Sequence, residues 1–244
     1  MKWIRRILIA LLAVLIVGGG VFVAWASATP TPMPEAIAAM QPDQQVQVDA
    51  SRWLTFKPAT GQPTTGFIIY PGGKANARSY APAARAIAAQ GFLVVIVPMP
   101  LNLAVFGAGK AADVLAAYPN IEHWAIGGHS LGGSMASRFV HTHYDKVRGL
   151  VLWASYPAGS DNLSSLPLSV VSISGMLDGL ATPAKIDASR PLLPSGTRWV
   201  AIEGGNHGQF GWYGDQSGDR PATISRSEQQ RLIIDATLQL LRSL

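Results

Sequence analysis

The sequence predicts an α/β domain, with a mainly parallel central β-sheet covered by helices on both faces and preceded by one N-terminal hydrophobic helix. Three observations carry this prediction. Short apolar, β-branched runs alternate with alanine-rich helical stretches from residue 45 onward, the pattern of strands joined by crossover helices. One run, Phe92-Leu93-Val94-Val95-Ile96-Val97, is apolar at every position, as a strand buried on both faces must be. Finally, the residues able to do chemistry fall just after strands, at the edge where sheets of this kind bind ligands.

Taken in order, Lys2, Arg5 and Arg6 form a positive head, and Ile7 to Ala26 is uncharged and mostly apolar. At helical rise that stretch covers about 30 Å, the hydrocarbon thickness of a bilayer. The positive flank stays cytoplasmic and places the rest of the chain outside. Ala24-Trp25-Ala26 and Ala26-Ser27-Ala28 are also acceptable cleavage sites, and Gly18-Gly19-Gly20 shortens the most apolar part to signal-peptide length. The expectation is therefore export, either with residues 1–28 retained as a membrane anchor or with cleavage after Ala28. Residues 29–44, opening Thr29-Pro30-Thr31-Pro32-Met33-Pro34, read as a short stiff linker. Residues 45–244 form the domain.

Within it, Val46, Val48 and Trp53–Phe56 predict two early strands, as an antiparallel pair. Gly66–Tyr70 is a strand stopped by Pro71-Gly72-Gly73. Ser79 to Gln90 predicts a helix capped by Ser79 and ended by Gly91. After the strand at 92–97, a helical stretch runs to about Ala117. The series continues with a strand at Trp124–Ile126, a helix from Leu131 to about Tyr144, and strands at Val147–Trp153 and Leu168–Ser174. A short helix near Ala184–Ser189, a strand at Arg198–Glu203 and a helix at Ser227–Leu241 complete it.

Composition removes several classes of function. Three of the 19 basic residues and none of the 14 acidic ones lie in the leader, so the remainder is close to neutral. No Lys/Arg run follows residue 28, and a nucleic-acid footprint needs one. With no cysteine there is no disulfide, thiolate metal site or cysteine nucleophile. Metal motifs such as H-E-x-x-H are absent, and neither Gly73-Lys74 nor Gly109-Lys110 has the glycine spacing or the Ser/Thr of a phosphate loop. No cofactor is implied.

Gly128-His129-Ser130-Leu131-Gly132 matches the pattern G-x-S-x-G. In a glycine-rich chain that pattern also describes an ordinary strand–helix turn with an N-cap serine, so context decides. An apolar strand precedes it and a helical pattern follows, as a strained turn exposing the serine Oγ requires. The turn also aims the Leu131 N–H at the oxyanion of a tetrahedral intermediate. Asp178, in Ser174-Gly175-Met176-Leu177-Asp178-Gly179, follows a strand and suits an acid that orients an imidazole, although Asp-Gly is also a plain turn signal. Asp161 and Asp187 are rivals that follow no strand directly. Of five histidines, only His207, in Gly204-Gly205-Asn206-His207-Gly208, follows a strand near the C-terminus, which suits a general base. His129 shapes the pocket from within the serine turn. His123 begins a strand at the wrong end of the sheet, and His141 and His143 read as surface residues.

The order Ser…Asp…His at successive strand ends resembles the α/β-hydrolase family from about Val46 to Leu244. The resemblance places Ser130, Asp178 and His207 where that family has nucleophile, acid and base. The small size is similar to its dienelactone-hydrolase-like branch, which typically carries cysteine instead of serine. Pro71-Gly72-Gly73-Lys74 falls where the family has its second oxyanion donor, implying the Gly73 N–H with Lys74 as the neighbouring choice. Only about 14 residues separate Trp153 from the strand at Leu168, too few for a large lid, so an open pocket is expected. The aromatics of Gln209–Asp215 either wall the pocket or pack beneath their own loop. The activity implied is hydrolysis of a small-molecule ester through an acyl-enzyme. The alternative is an exported, membrane-tethered binding protein that keeps the fold without catalysis.

Overall fold

The computed structural model describes residues 2–244. Helix α1 (Lys2–Ser27) is exposed along its length except at Ala26, and it is the one described helix long and apolar enough to cross a membrane. Within the segment read as a short stiff linker, residues 29–44, the chain is partly helical. Pro34 starts a short helix, α2 (Pro34–Ala38), whose Ala36 is fully buried. The Met33 N–H donates to the Trp212 carbonyl at 2.9 Å, and Arg85 donates to the Ala39 and Gln41 carbonyls. Residues 33–41 are therefore laid onto the domain.

Eight strands form one sheet. They are β1 (Val46–Asp49), β2 (Leu54–Pro58), β3 (Thr65–Tyr70), β4 (Leu93–Ile96), β5 (His123–His129), β6 (Gly149–Trp153), β7 (Ser169–Gly175) and β8 (Arg198–Ile202), in spatial order β1-β2-β4-β3-β5-β6-β7-β8. The first two pair antiparallel, as expected, and β2 meets β4 antiparallel. All later pairs are parallel. Because side chains alternate across a strand, β4 sends Val94 and Ile96 to one core and Leu93 and Val95 to the other. The first core is covered by α3 (Ala81–Ala88) and α7 (Arg226–Leu241), with α6 (Pro183–Ala188) at its margin. The second is covered by α4 (Ala111–Ala117) and α5 (Leu131–Thr142). Burial of both faces explains why the central strands lack an alternating polar pattern.

Two boundaries differ from expectation. Asn76, not Ser79, caps the segment before α3, because residues 77–80 form a 3₁₀ turn and Pro82 sets the α-helix start. Ser79 is instead fully buried. The stretch from 98 to 110 is a series of 3₁₀ turns rather than a helix, interrupted where Leu101 and Asn102 take positive φ (52° and 54°). Pro98 and Pro100 withhold the N–H groups that a continuous helix would need.

Candidate active site

The carboxyl ends of β3, β5, β7 and β8 carry the residues singled out from sequence. Ser130 follows β5 directly and has φ 52° and ψ −123°, a conformation L-residues rarely adopt and one that costs about 1–3 kcal/mol. The turn is fastened from both sides. The Ser130 N–H donates to the Trp153 carbonyl at 2.9 Å, and its carbonyl accepts the Ser155 hydroxyl at 2.6 Å. Gly128 and Gly132 are required by close approach. A Cβ at Gly128 would meet the Tyr70 carbonyl oxygen and lie 2.8 Å from the Gly132 carbonyl carbon. One at Gly132 would strike the Tyr70 and Pro71 carbonyl oxygens.

Asp178, on the loop after β7, is fully buried and makes three hydrogen bonds. Its Oδ1 accepts the Leu180 and Ala181 N–H groups, each at 2.7 Å, and its Oδ2 lies 2.8 Å from His207 Nδ1. A carboxylate satisfied in this way holds the His207 proton on Nδ1 and leaves Nε2 with a lone pair. His207 Nε2 has no hydrogen-bond partner among the described residues, so its bond to Ser130 Oγ is not formed here. Such bonds commonly tighten only when substrate is present. Asp161 pairs with Arg138, and Asp187 with Arg190; neither bonds a histidine.

His129 links serine and base. Its ring centroid lies 4.5 Å from that of His207, and the ring stacks on Phe210 at 5.6 Å with 5° between planes. Tyr80 Oη accepts the Gly72 N–H at 3.0 Å and is hydrogen-bonded to His129 Nδ1 at 2.9 Å. Burial first, and the adjacent His207 second, hold the His129 imidazole well below the usual histidine range.

The same tyrosine orders the loop after β3. The Gly72 N–H is taken by Tyr80, and the Lys74 N–H by the Asn102 carbonyl at 2.8 Å. The Gly73 N–H between them makes no hydrogen bond among the described residues. A Cβ at Gly73 would sit 3.1 Å from Leu131 Cδ2, so the two expected oxyanion donors, Gly73 and Leu131, are neighbours. Lys74, the other choice for the second donor, has its N–H engaged.

Two cavities meet at Ser130. One, of about 730 Å³, is bounded by Gly73, His129, Ser130, Tyr213, Trp25 and Ala28–Pro30. The other, of about 310 Å³, lies between Leu131, Tyr156 and Leu180. The short connection after β6 adds no lid over the larger one, which is lined in addition by Trp25 near the end of α1 and by Tyr213 and Asp215–Ser217. The Gln209–Asp215 loop does both things the sequence allowed, since Tyr213 lines the cavity and Phe210 is packed beneath.

Sequence reasoning missed the residues that hold the two loops together. Asp219 accepts the Gly179 N–H (2.9 Å) with one oxygen and the Gly208 N–H (2.8 Å) with the other. It thus bridges the residues that follow Asp178 and His207. Arg220 donates to the carbonyls of Met176, Leu177 and Asp178, and fully buried Gln229 of α7 brackets Asn206 through its N–H and carbonyl. No local pattern marks these residues, since their partners lie 11 to 44 positions away.

The chain belongs to the α/β-hydrolase family, whose family model ("Alpha/beta hydrolase family") matches residues 66–231. Among solved structures it is similar to a protein from Klebsiella pneumoniae assigned as a dienelactone hydrolase (12% identity, 82% of this chain and 98% of that chain, TM-score 0.61). It is also similar to the esterase domain of a Rhodothermus marinus protein (11%, 82% and 98%, 0.60) and to Thermogutta terrifontis esterase 2 phosphoramylated by tabun (14%, 82% and 96%, 0.58). At these identities the likeness is one of fold. No curated protein sequence matches the chain.

Proposed function

We propose that this protein is a serine hydrolase cleaving an ester-type bond through an acyl-enzyme, with Ser130 as nucleophile, His207 as base and Asp178 as the orienting acid. The observation that carries this reading is the 2.8 Å Asp178–His207 bond, which leaves the His207 Nε2 without a partner among the described residues, together with a serine held in a strained turn after β5. His207 takes the Ser130 proton as Oγ attacks the ester carbonyl, and the Gly73 and Leu131 N–H groups receive the oxyanion. The imidazolium, stabilised by Asp178, then protonates the leaving alcohol. Water enters by the same route and releases the acid, restoring Ser130. His129, held neutral, adds no second positive charge beside that imidazolium. The two cavities meeting at Ser130 suit the two halves of an ester.

Helix α1 serves on this reading as an export signal that leaves residues 45–244 outside the cytoplasm, retained as an anchor or removed after Ala28. Three basic residues precede the span and none lies within it.

The unformed Ser130–His207 bond and the burial of His207 favour one other reading, a tethered binding protein without catalysis. Labelling purified protein with a fluorophosphonate separates the two. Ser130-dependent labelling, abolished in Ser130→Ala, is expected of the hydrolase. Labelling that is absent, or unchanged in the variant, would leave only the binding protein.

A further inference from the structure

The end of α1 is built into the domain. Ala26 is fully buried, its carbonyl accepts Asn102 Nδ2 at 3.2 Å, and the Lys74 ammonium sits 4.1 Å above the Trp25 ring. Phe22, one turn earlier, meets Phe106 edge-on at 6.3 Å between ring centroids. Phe106 and its neighbour Val105 are 53% and 49% exposed. Outside α1 only Ile37 and Tyr144 join them as exposed large apolar side chains among the described residues.

Depth along the helix gives these contacts a meaning. The mostly apolar stretch ends at Ala26, and Phe22 lies about 6 Å further in at helical rise. With α1 across a bilayer, Phe106 beside Phe22 is therefore at the outer edge of the hydrocarbon. Trp25 stands at the level of the headgroups, where tryptophan concentrates and where a lysine cation meets lipid phosphate. Trp25 also lines the 730 Å³ cavity, together with His129 and Ser130. The ester group of an acyl amphiphile lies at this same boundary, with its chain on the Phe106 side and its polar part toward water. A substrate arriving from water would have no use for an apolar knob continuous with the span.

We infer that the large cavity opens at the bilayer surface and takes an acyl ester resident in the leaflet from which α1 emerges. The substrate class rests on the hydrolase reading above. The reaction adds one water across the ester bond, giving a carboxylic acid and an alcohol, and needs no other reactant. Val105 and Phe106 dip into the lipid beside α1 and hold the mouth at ester depth.

The test uses the full chain reconstituted in phosphatidylcholine vesicles, with p-nitrophenyl acetate as soluble ester and p-nitrophenyl palmitate embedded in the vesicles. The double substitution Val105→Ser/Phe106→Ser is expected to lower turnover of the embedded ester about tenfold or more while leaving the soluble one within about twofold, since tenfold is the scale of losing one modest apolar contact. Equal loss on both esters, or loss on neither, overturns the inference. Because the chain has no cysteine, Phe106→Cys takes a single environment-sensitive fluorophore. Quenching of that label by nitroxide-bearing lipid is expected. An unquenched label means that water or another protein covers this site, and overturns the proposal. If the label is quenched but neither ester is hydrolysed in a Ser130-dependent way, the hydrolase reading fails and takes the substrate class with it.

Discussion

At the scale of single residues, the site depends on which atom carries which proton. Asp178 fixes the His207 tautomer through the 2.8 Å bond to Nδ1. Asp178→Asn preserves the shape but presents an N–H to that nitrogen, so the lone pair no longer faces Ser130. The fold should survive while kcat falls about 10⁴-fold, as measured on any ester the wild type turns over. An Asp178→Asn enzyme of full strength would move the acid to another residue. His129 supplies a pH-dependent stability of definite sign. Burial lowers its affinity for a proton in the folded state. Between that lowered value and about 6.5, where a free histidine titrates, the unfolded chain binds the extra proton. Stability is therefore complete above about pH 6.5 and is lost as pH falls below it. Thermal melts between pH 7.5 and 5 should show a falling Tm whose slope is flattened in His129→Gln, at pH values spanning that histidine window. Parallel slopes would assign the fall to other groups.

Loops and turns are coupled at the next scale by contacts distant in sequence. The Asp178 loop after β7 and the His207 loop after β8 are joined by Asp219, one carboxylate oxygen to each. Asp219→Asn replaces one acceptor by a donor and orphans an N–H, an effect of about 1–3 kcal/mol. Because the change loosens the Asp178–His207 alignment rather than the cavity walls, kcat should drop about tenfold or more with KM nearly unchanged. A rise in KM at constant kcat would instead place Asp219 in substrate binding. The Ser130 turn behaves as an element in the same sense. Its strain is held by hydrogen bonds to Trp153 and Ser155 and by the glycine contacts with the β3 end. That makes β3, β5 and β6 a single support for Ser130, the proposed nucleophile.

For the whole molecule, the relation of α1 to the domain decides where the protein works and what its large cavity is. A retained α1 should keep the protein in the membrane pellet after a carbonate wash, since a spanning helix does not dissociate as a surface contact does. Cleavage after Ala28 should give a soluble chain beginning at Thr29 that has lost the Trp25 wall. N-terminal sequencing of the native protein distinguishes the two, and full-length chain in the cytosol would defeat export altogether.

Much of this architecture was written in local pattern. The uniformly apolar β4, the alternation that follows it, and the Gly128–Gly132 turn are each decided by residues within a few positions of one another, because periodicity and turn chemistry act over that range. The same locality made Ser130, Asp178 and His207 legible as residues placed just after strands, and made α1 legible as a span. Where the local signal was ambiguous, the packed chain decided. Serine before a helix can cap it, but Pro82 and Asn76 set the start of α3 and buried Ser79 instead. Beyond the Asp178 bonds to Leu180 and Ala181, most of what aligns the site lies beyond local reach. Tyr80 meets His129 across 49 positions, Asn102 meets Ala26 across 76, and Asp219 meets Gly179 across 40. Such pairs leave no signature in either neighbourhood, because each partner is acceptable on its own and gains its role only when folding brings the other within hydrogen-bond reach. The amino-acid sequence by itself therefore determined which strands form, which residues follow them and which segment is apolar enough to span a bilayer. Only the tertiary structure decided which amide remains free for an oxyanion, what holds the acid to the base and what closes the cavity, since those depend on distances between segments that sequence order does not encode.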